Sequence, residues 1–394
     1  IALNFIQFDP LIPADGYNVT SLSASGVAVT VTDAGGSLLL IDPLSGATTA
    51  ITGFNNYVAG ITPDNSGGMY IWGGFTTVNA TADAGIVYRN AAGTIAPITA
   101  TGSTGEVRDA IFGTDGYLYI GTGATGIGGV AGCDYIAKTD GASFDPLAAG
   151  LDGVVYALCI DNSGNLYAGG KFTNAITGPG LLHNFGKCNS NKWTALSGAT
   201  AGVAGGTIPV RTLVALPDNT IVLGGEFTSA GDNTALDYLC KWTGSTYEAL
   251  GTAPNGIINK LIYDKKNGLL YAFGDFTTIG GITTRSAAYW DGNNWNPMTG
   301  AGDLISRASI DDNGTIYAYC AFWSINGVTY TDTVAYWNGS KWLLPEFYND
   351  GTTYNIAYRR LTNETVILGY KTGTLIYTIP AVSTITNSTE GNIY

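Results

Sequence analysis

The sequence predicts an all-β chain built from a repeated module of four short strands, and three observations carry that expectation. The first is the element Gly169-Gly170-Lys171-Phe172-Thr173. It returns as Trp72-Gly73-Gly74-Phe75-Thr76, Gly224-Gly225-Glu226-Phe227-Thr228 and Phe273-Gly274-Asp275-Phe276-Thr277, and in decayed form at Tyr319-Cys320-Ala321-Phe322-Trp323 and Gly121-Thr122-Gly123-Ala124-Thr125. Counted at the Phe75 position, the copies step by 49, 48, 55, 49 and 46 residues. The second observation is Tyr289-Trp290-Asp291-Gly292-Asn293-Asn294-Trp295, repeated at Tyr336 to Trp342 and Lys241 to Tyr247, and more loosely ending at Trp193, Phe144 and Ile95. The third is that no long stretch shows the i, i+3, i+4, i+7 apolar spacing of an amphipathic helix. Two markers in one phase define a period whose length belongs to propellers, solenoids and arrays.

The elements follow in order within each period. Val154 to Ile160 is an apolar run, and Asp161-Asn162-Ser163-Gly164 is a turn whose side chains cap backbone amides and whose glycine accepts positive φ. Leu166 to Gly169 starts a second strand, Asn184 to Lys187 a third, and Trp193 to Leu196 a fourth. Asp291-Gly292, Asn313-Gly314 and Asn338-Gly339 mark hairpins between apolar runs. Four-stranded modules of this length that close into a ring are propeller blades. The expected organisation of residues 1–394 is one domain: a compressed blade at 17–52, six regular blades over 57–345, a three-stranded last blade at 354–379 and a tail at 380–394. Residues 1–8 are expected to supply the missing strand and close the ring. This count gives eight blades, with seven as the alternative if the first and last modules share one.

Composition narrows the setting. With 56 glycines, 24 tyrosines and 12% charged residues, the chain has the makeup of strands and tight turns rather than of disorder. A formal charge of −13 with no basic cluster disfavours nucleic acid and anionic membrane surfaces. No apolar run is long enough for membrane insertion by a helix. The chain begins at Ile1 without methionine, which reads as processing or excision from a longer product. Cys133, Cys159, Cys188, Cys240 and Cys320 show no metal spacing and read as buried fillers, with a Cys188–Cys240 disulfide left open. Asn79, Asn313, Asn338 and Asn363 lie in glycosylation sequons, as do Asn18 and Asn387, although such pairs also serve turns. Asn313, Asn338 and Asn363 fall in first-to-second or third-to-fourth strand turns, which share one face, so glycans there would leave the opposite face free.

No catalytic constellation stands out. His183 is the only histidine, so multi-histidine metal sites are excluded by count, and no cofactor is expected. The Asp161 and Asp311 turns offer oxygen ligands but not the spacing of a calcium loop. Asp232, Asp237, Asp275 and Glu226 are acids that a central channel could gather, which keeps a carbohydrate-active enzyme as the alternative reading. Residues that recur in every module fill the space between modules, so function is sought where modules differ, in the loops joining second to third strands. Tyr330, Asp332, Arg285, Asp232 and His183 are the candidate ligand-binding residues there, as aromatics with a few fixed polar groups.

The element Gly274-Asp275-Phe276-Thr277-Thr278-Ile279-Gly280-Gly281, followed by Ala288-Tyr289-Trp290-Asp291-Gly292-Asn293-Asn294-Trp295, resembles the repeat of a propeller family. That family includes the extracellular region of fungal cortical polarity markers, with similar arrays in bacterial surface proteins and in proteins of phages and large DNA viruses. The resemblance covers about residues 57–345. It implies the fold and a surface setting, and it brings no catalytic set with it. The chain also resembles Kelch and galactose-oxidase-like propellers in outline, but it lacks the histidines that the oxidase's copper needs. The expectation is a non-enzymatic β-propeller on a virion or cell surface. It would bind a protein or glycan on a host or neighbouring particle, or serve as a structural subunit.

Overall fold

In a computed structural model the regular structure of the described residues is β-strand, apart from one short helical turn. The structure describes residues 53–343, apart from 57, 65–67, 83–84, 99–104, 179–180, 197–201, 232, 311–313 and 326–327, and outside that span the strands of the first and last modules. Modules 1 to 7 are four-stranded antiparallel sheets, and module 8 has three strands. Their first strands are Tyr17–Leu22, Val58–Pro63, Val107–Phe112, Val154–Ile160, Val210–Ala215, Ile257–Asp264, Asp303–Ile310 and Asn355–Leu361. From modules 1 to 7, the first strand of each lies against the first strand of the next. That of module 8 lies against the third strand of module 7 and the first strand of module 1. Sheets that meander outward from neighbouring inner strands and meet in a cycle form a β-propeller. The closing strand expected from residues 1–8 lies outside the described residues, and the sole helical turn among those described is Ile127–Gly129.

The core is a set of layers between neighbouring sheets rather than one central mass. One layer joins Tyr167 and Phe185 of module 4 to Val210, Leu223, Phe227 and Trp242 of module 5. Another joins Tyr271 and Phe273 of module 6 to Ile305, Ala318 and Trp342 of module 7. The recurring Phe75, Phe172, Phe227 and Phe276 are all buried. Each such side chain stabilises by roughly 1.5–3 kcal/mol when fully withdrawn from water.

Close packing explains both glycines of the repeat. A Cβ on Gly169 would stand 3.0 Å from Val210 Cβ and 3.2 Å from Leu213 Cδ1 of the next module, and one on Gly224 would stand 2.5 Å from Ile258 Cγ2. The first glycine is therefore set by the approach of the following blade. A Cβ on the second glycine would strike backbone instead: at Gly170 the Val154 carbonyl oxygen, at Gly225 that of Pro209, and at Gly274 that of Ile257.

The closing tryptophan works in the other direction. Trp193 Nε1 donates to the Leu147 carbonyl (3.3 Å), Trp295 Nε1 to Leu250 (2.6 Å) and Trp342 Nε1 to Met298 (3.3 Å), each acceptor lying just past the fourth strand of the preceding module. The threonine of the first marker is held within its own module. Asn55 Oδ1 accepts the amides of Thr76 and Thr77, Asp152 Oδ1 those of Thr173 and Asn174, and Asn255 Oδ1 those of Thr277 and Thr278.

Cys133, Cys159, Cys188 and Cys240 are buried free thiols. The Cys188–Cys240 pairing is therefore corrected. The two belong to different interblade layers, Cys188 between modules 3 and 4 and Cys240 between modules 4 and 5. Cys320 has no described side chain.

Candidate functional site

Modules 2 to 7 share a β-bulge in the first strand, one residue after its buried Val or Ile. Pairing skips a residue between Val58 and Gly60, Val107 and Asp109, Val155 and Ala157, Val210 and Thr212, Ile258 and Lys260, and Ile305 and Arg307. A bulge leaves one residue out of the ladder and re-aims its side chain. In modules 3, 4 and 5 that residue is Arg108, Tyr156 and Arg211. All three line a cavity of about 170 Å³, joined by Asp109, Thr212 and Lys260. The cavity is built on the inner strands of four successive modules, at the wall of the central channel.

The charges in this wall are arranged unevenly. Arg108 Nη2 lies 2.5 Å from Glu106, and its Cζ sits 4.8 Å over the Tyr156 ring. Arg108 Nε is buried without a hydrogen-bond partner among the described residues. Arg211 donates through Nε to Glu226 Oε1 at 3.1 Å and through Nη2 to the same carboxylate, with the two side chains 13% and 15% exposed. Lys260 is half-buried and forms no ion pair among the described residues. Asp109 already accepts from the Ala110 amide and, across the interface, from the Leu158 amide at 2.8 Å. Thr212 is buried and accepts from the Leu261 amide of the next module at 3.1 Å, so its hydroxyl proton is still to be placed.

Burial pushes the Glu226 carboxyl upward. The hydrogen bond from Arg211 and those from the Ile208 and Thr207 amides outweigh it and hold the group below the usual carboxylate range. A glycosidase general acid needs the opposite displacement. Asp275 is exposed. The wall as built offers cationic and hydroxyl donors around an aromatic face, which is chemistry for holding an anion.

Comparison with known proteins agrees at the level of fold. The chain is similar to the extracellular domain of a hybrid two-component system from B. thetaiotaomicron, at 11% identity and a TM-score of 0.51, over 93% of this chain and 52% of that one. It is also similar to a streptogramin B lyase (11% identity, TM-score 0.48, 80% of this chain and 94% of that one) and to the WD40 β-propeller domain of Doa1 (12%, 0.47, 80% and 93%). Neither a protein-family model nor a curated protein matches the chain.

The sequence-predicted residues fall elsewhere. His183 is half-buried in the second-to-third strand loop of module 4, where its backbone has φ 47° and its carbonyl accepts from the Val203 amide at 2.8 Å. Arg285 is exposed on the equivalent loop of module 6. Asp232 lies outside the described residues. Tyr330 and Asp332 were expected in a loop spanning Trp323 to Thr333. The structure instead continues the second strand to Ile325 and starts the third at Val328, so both residues sit in the ladder, with Tyr330 opposite Trp323. The alternating Thr-Tyr-Thr run has the β-branched and aromatic residues that suit a strand, and the side chains of Tyr330 and Asp332 lie outside the described residues. Neither His183 nor Arg285 lines the channel cavity.

Among the sequons, Asn338 is exposed, and its Oδ1 accepts the Ser340 and Lys341 amides in a third-to-fourth strand turn. Asn79 is exposed on a second-to-third strand hairpin at φ 51°. Asn313 and Asn363 lie outside the described residues. The cavity residues lie in first strands, whereas the variation between modules that marks function in the sequence is greatest in the loops. The signal was present in the strands: in an acidic chain with only 17 Lys and Arg, Arg108 and Arg211 hold the same slot after the buried valine, and Lys260 follows it by one.

Proposed function

We propose that the protein is a non-enzymatic β-propeller binding module, displayed on a virion or cell surface. It would engage a glycan or protein partner through the face carrying the second-to-third strand loops and the nearby channel. One observation carries this reading: the repeated residues are consumed in packing, while the residues that vary between modules converge on the channel wall and the loops. Phe, Trp and the first glycine of the markers pack blade against blade and the second glycine lets the two inner strands of one blade approach, whereas the bulge slot changes from Arg108 to Tyr156 to Arg211. A slot that varies on a fixed frame is where propellers carry specificity. The surface setting is supported by the likeness of the repeat to those of surface and particle proteins, and by the acidic, weakly charged composition.

The test is binding of the purified chain to a glycan array and to candidate host cells, beside a variant with Tyr330, Asp332 and Arg285 changed to alanine. Saturable binding that the variant loses is expected. No binding to glycans or cells would overturn the attachment role and leave a subunit whose partner is another protein of the same particle.

A further inference from the structure

We propose that the channel cavity between modules 3 and 6 is a binding site for a small oxyanion: the carboxylate, sulfate or phosphate group of a ligand. The inference deepens the reading of the protein as a binding module and rests on it for the ligand being a partner's substituent.

Three of the 17 basic residues of a chain with formal charge −13 meet in this one cavity. Chance surface placement would scatter them among the 30 acids. Two of the cations are oriented from behind. Glu106 holds Arg108, and Glu226 with the Thr207 and Ile208 amides holds Arg211. Neither glutamate lines the cavity. This is how a site fixes guanidinium groups in advance so that a ligand does not have to order them. The third cation, Lys260, is left without an ion-pair partner among the described residues. Thr212 has a hydroxyl proton to donate, and the buried Arg108 Nε has no acceptor among the described residues. Asp109, the one carboxylate in the wall, turns one oxygen to the Ala110 amide and the other to the Leu158 amide, and its single charge stands against three cations.

Arginine's planar fork matches oxyanions, and an ammonium adds a point charge. The volume of about 170 Å³ is below the roughly 300–1,000 Å³ of sites that enclose a drug-sized molecule, so the cavity takes one charged group and not a whole large ligand. Tyr156, whose ring carries the Arg108 guanidinium on one face, also lines the cavity and would meet the apolar side of whatever carries that group.

The experiment uses the full chain. Isothermal titration and thermal stabilisation would be read with sodium sulfate, sodium phosphate, glucuronate and N-acetylneuraminate, with glucose as the neutral control, at constant ionic strength in chloride. At least one of the four anions should bind saturably while glucose does not. Lys260→Gln should weaken that binding tenfold or more, Lys260→Arg should retain it, and Lys265→Gln in the exposed hairpin turn should leave it unchanged. Lys260 forms no ion pair among the described residues, so circular dichroism should show all three variants folded. Sulfate and phosphate binding without the acidic sugars would assign the site to a free anion. Acidic sugar binding would assign it to a glycan substituent. No saturable binding of any anion, or equal binding by Lys260→Gln, would overturn the site. If that happened while glycan array or cell binding persisted, the site would fall and the binding-module reading would stand.

Discussion

Replacing Gly225 with alanine tests the account of why a glycine stands two residues before the marker phenylalanine in modules 2, 4, 5 and 6. Val210 pairs with Gly225 across the bulge, and an added Cβ would strike the Pro209 carbonyl oxygen while standing 2.9 Å from Pro209 C and 3.0 Å from Val210 Cα. Carbon atoms rest at about 3.5–4.0 Å, so the two strands must part by about 0.5–1 Å. Because the obstacle is backbone, no rotamer can absorb the shift. Overpacking costs about 1–3 kcal/mol, and this site belongs at the upper end. Alanine recovers about 0.4–1 kcal/mol by restricting the unfolded chain, leaving a net loss of about 2 kcal/mol.

With an unfolding entropy of about 2.1 cal/mol/K per residue, a ring of 394 residues that melts as one unit would lose about 2–3 °C in Tm. If blades melt as smaller units, the same loss is divided by less entropy and the shift grows. Scanning calorimetry reads both the shift and the size of the unit. Gly123→Ala is the control, because its Cβ would meet nothing nearer than Arg108 Nε at 3.7 Å and its backbone is unstrained. A Gly225→Ala protein that melts no lower than Gly123→Ala would refute the packing argument.

Trp295→Phe should cost about 1–3 kcal/mol, because the Leu250 carbonyl loses its 2.6 Å donor inside the protein; an unchanged urea midpoint would deny the tryptophan its latch role. Burial pushes the thiols of Cys133 and Cys188 up to about 11, leaving about one thiol in a thousand ionised at pH 8. In a Cys320→Ser background, Ellman's reagent should therefore modify the native chain only as fast as it unfolds, and a rapid phase would contradict that. Glu226 has a folded pKa below its ordinary value. Its contribution is present above the unfolded pKa of about 4.3 and is lost as pH falls through the folded value. The stability gap between wild type and Glu226→Gln should accordingly close on acidification below about pH 4.3, and a gap constant from pH 7 to 3 would remove the ion pair from the account.

The fold was readable because its determinants are steric and repeat with the modules. Gly169, Gly224, Phe227 and Trp295 each answer a contact that recurs from blade to blade, so their spacing alone marked the sheets. The cavity was not readable for a geometric reason. Arg108, Tyr156, Arg211 and Lys260 are separated by 48, 55 and 49 residues in sequence, and in an ordinary strand successive side chains alternate faces. Only the bulge, which no single residue type announces, turns the slot after the buried valine toward the channel. Tyr330 and Asp332 misled for a local reason: without a turn residue until Asn326-Gly327, the hairpin runs on as strand past the point where the other modules bend.

The backward reach of the closing tryptophans sets a timetable for synthesis. Leu147, Leu250 and Met298 find their indole donors 46, 45 and 44 residues further along the chain. A ribosome adds about 5–20 residues per second, so each of these carbonyls waits roughly 2–9 s after its own blade has emerged. At these three junctions the growing chain therefore carries an unfinished edge on the older blade until the next blade's tryptophan has been made.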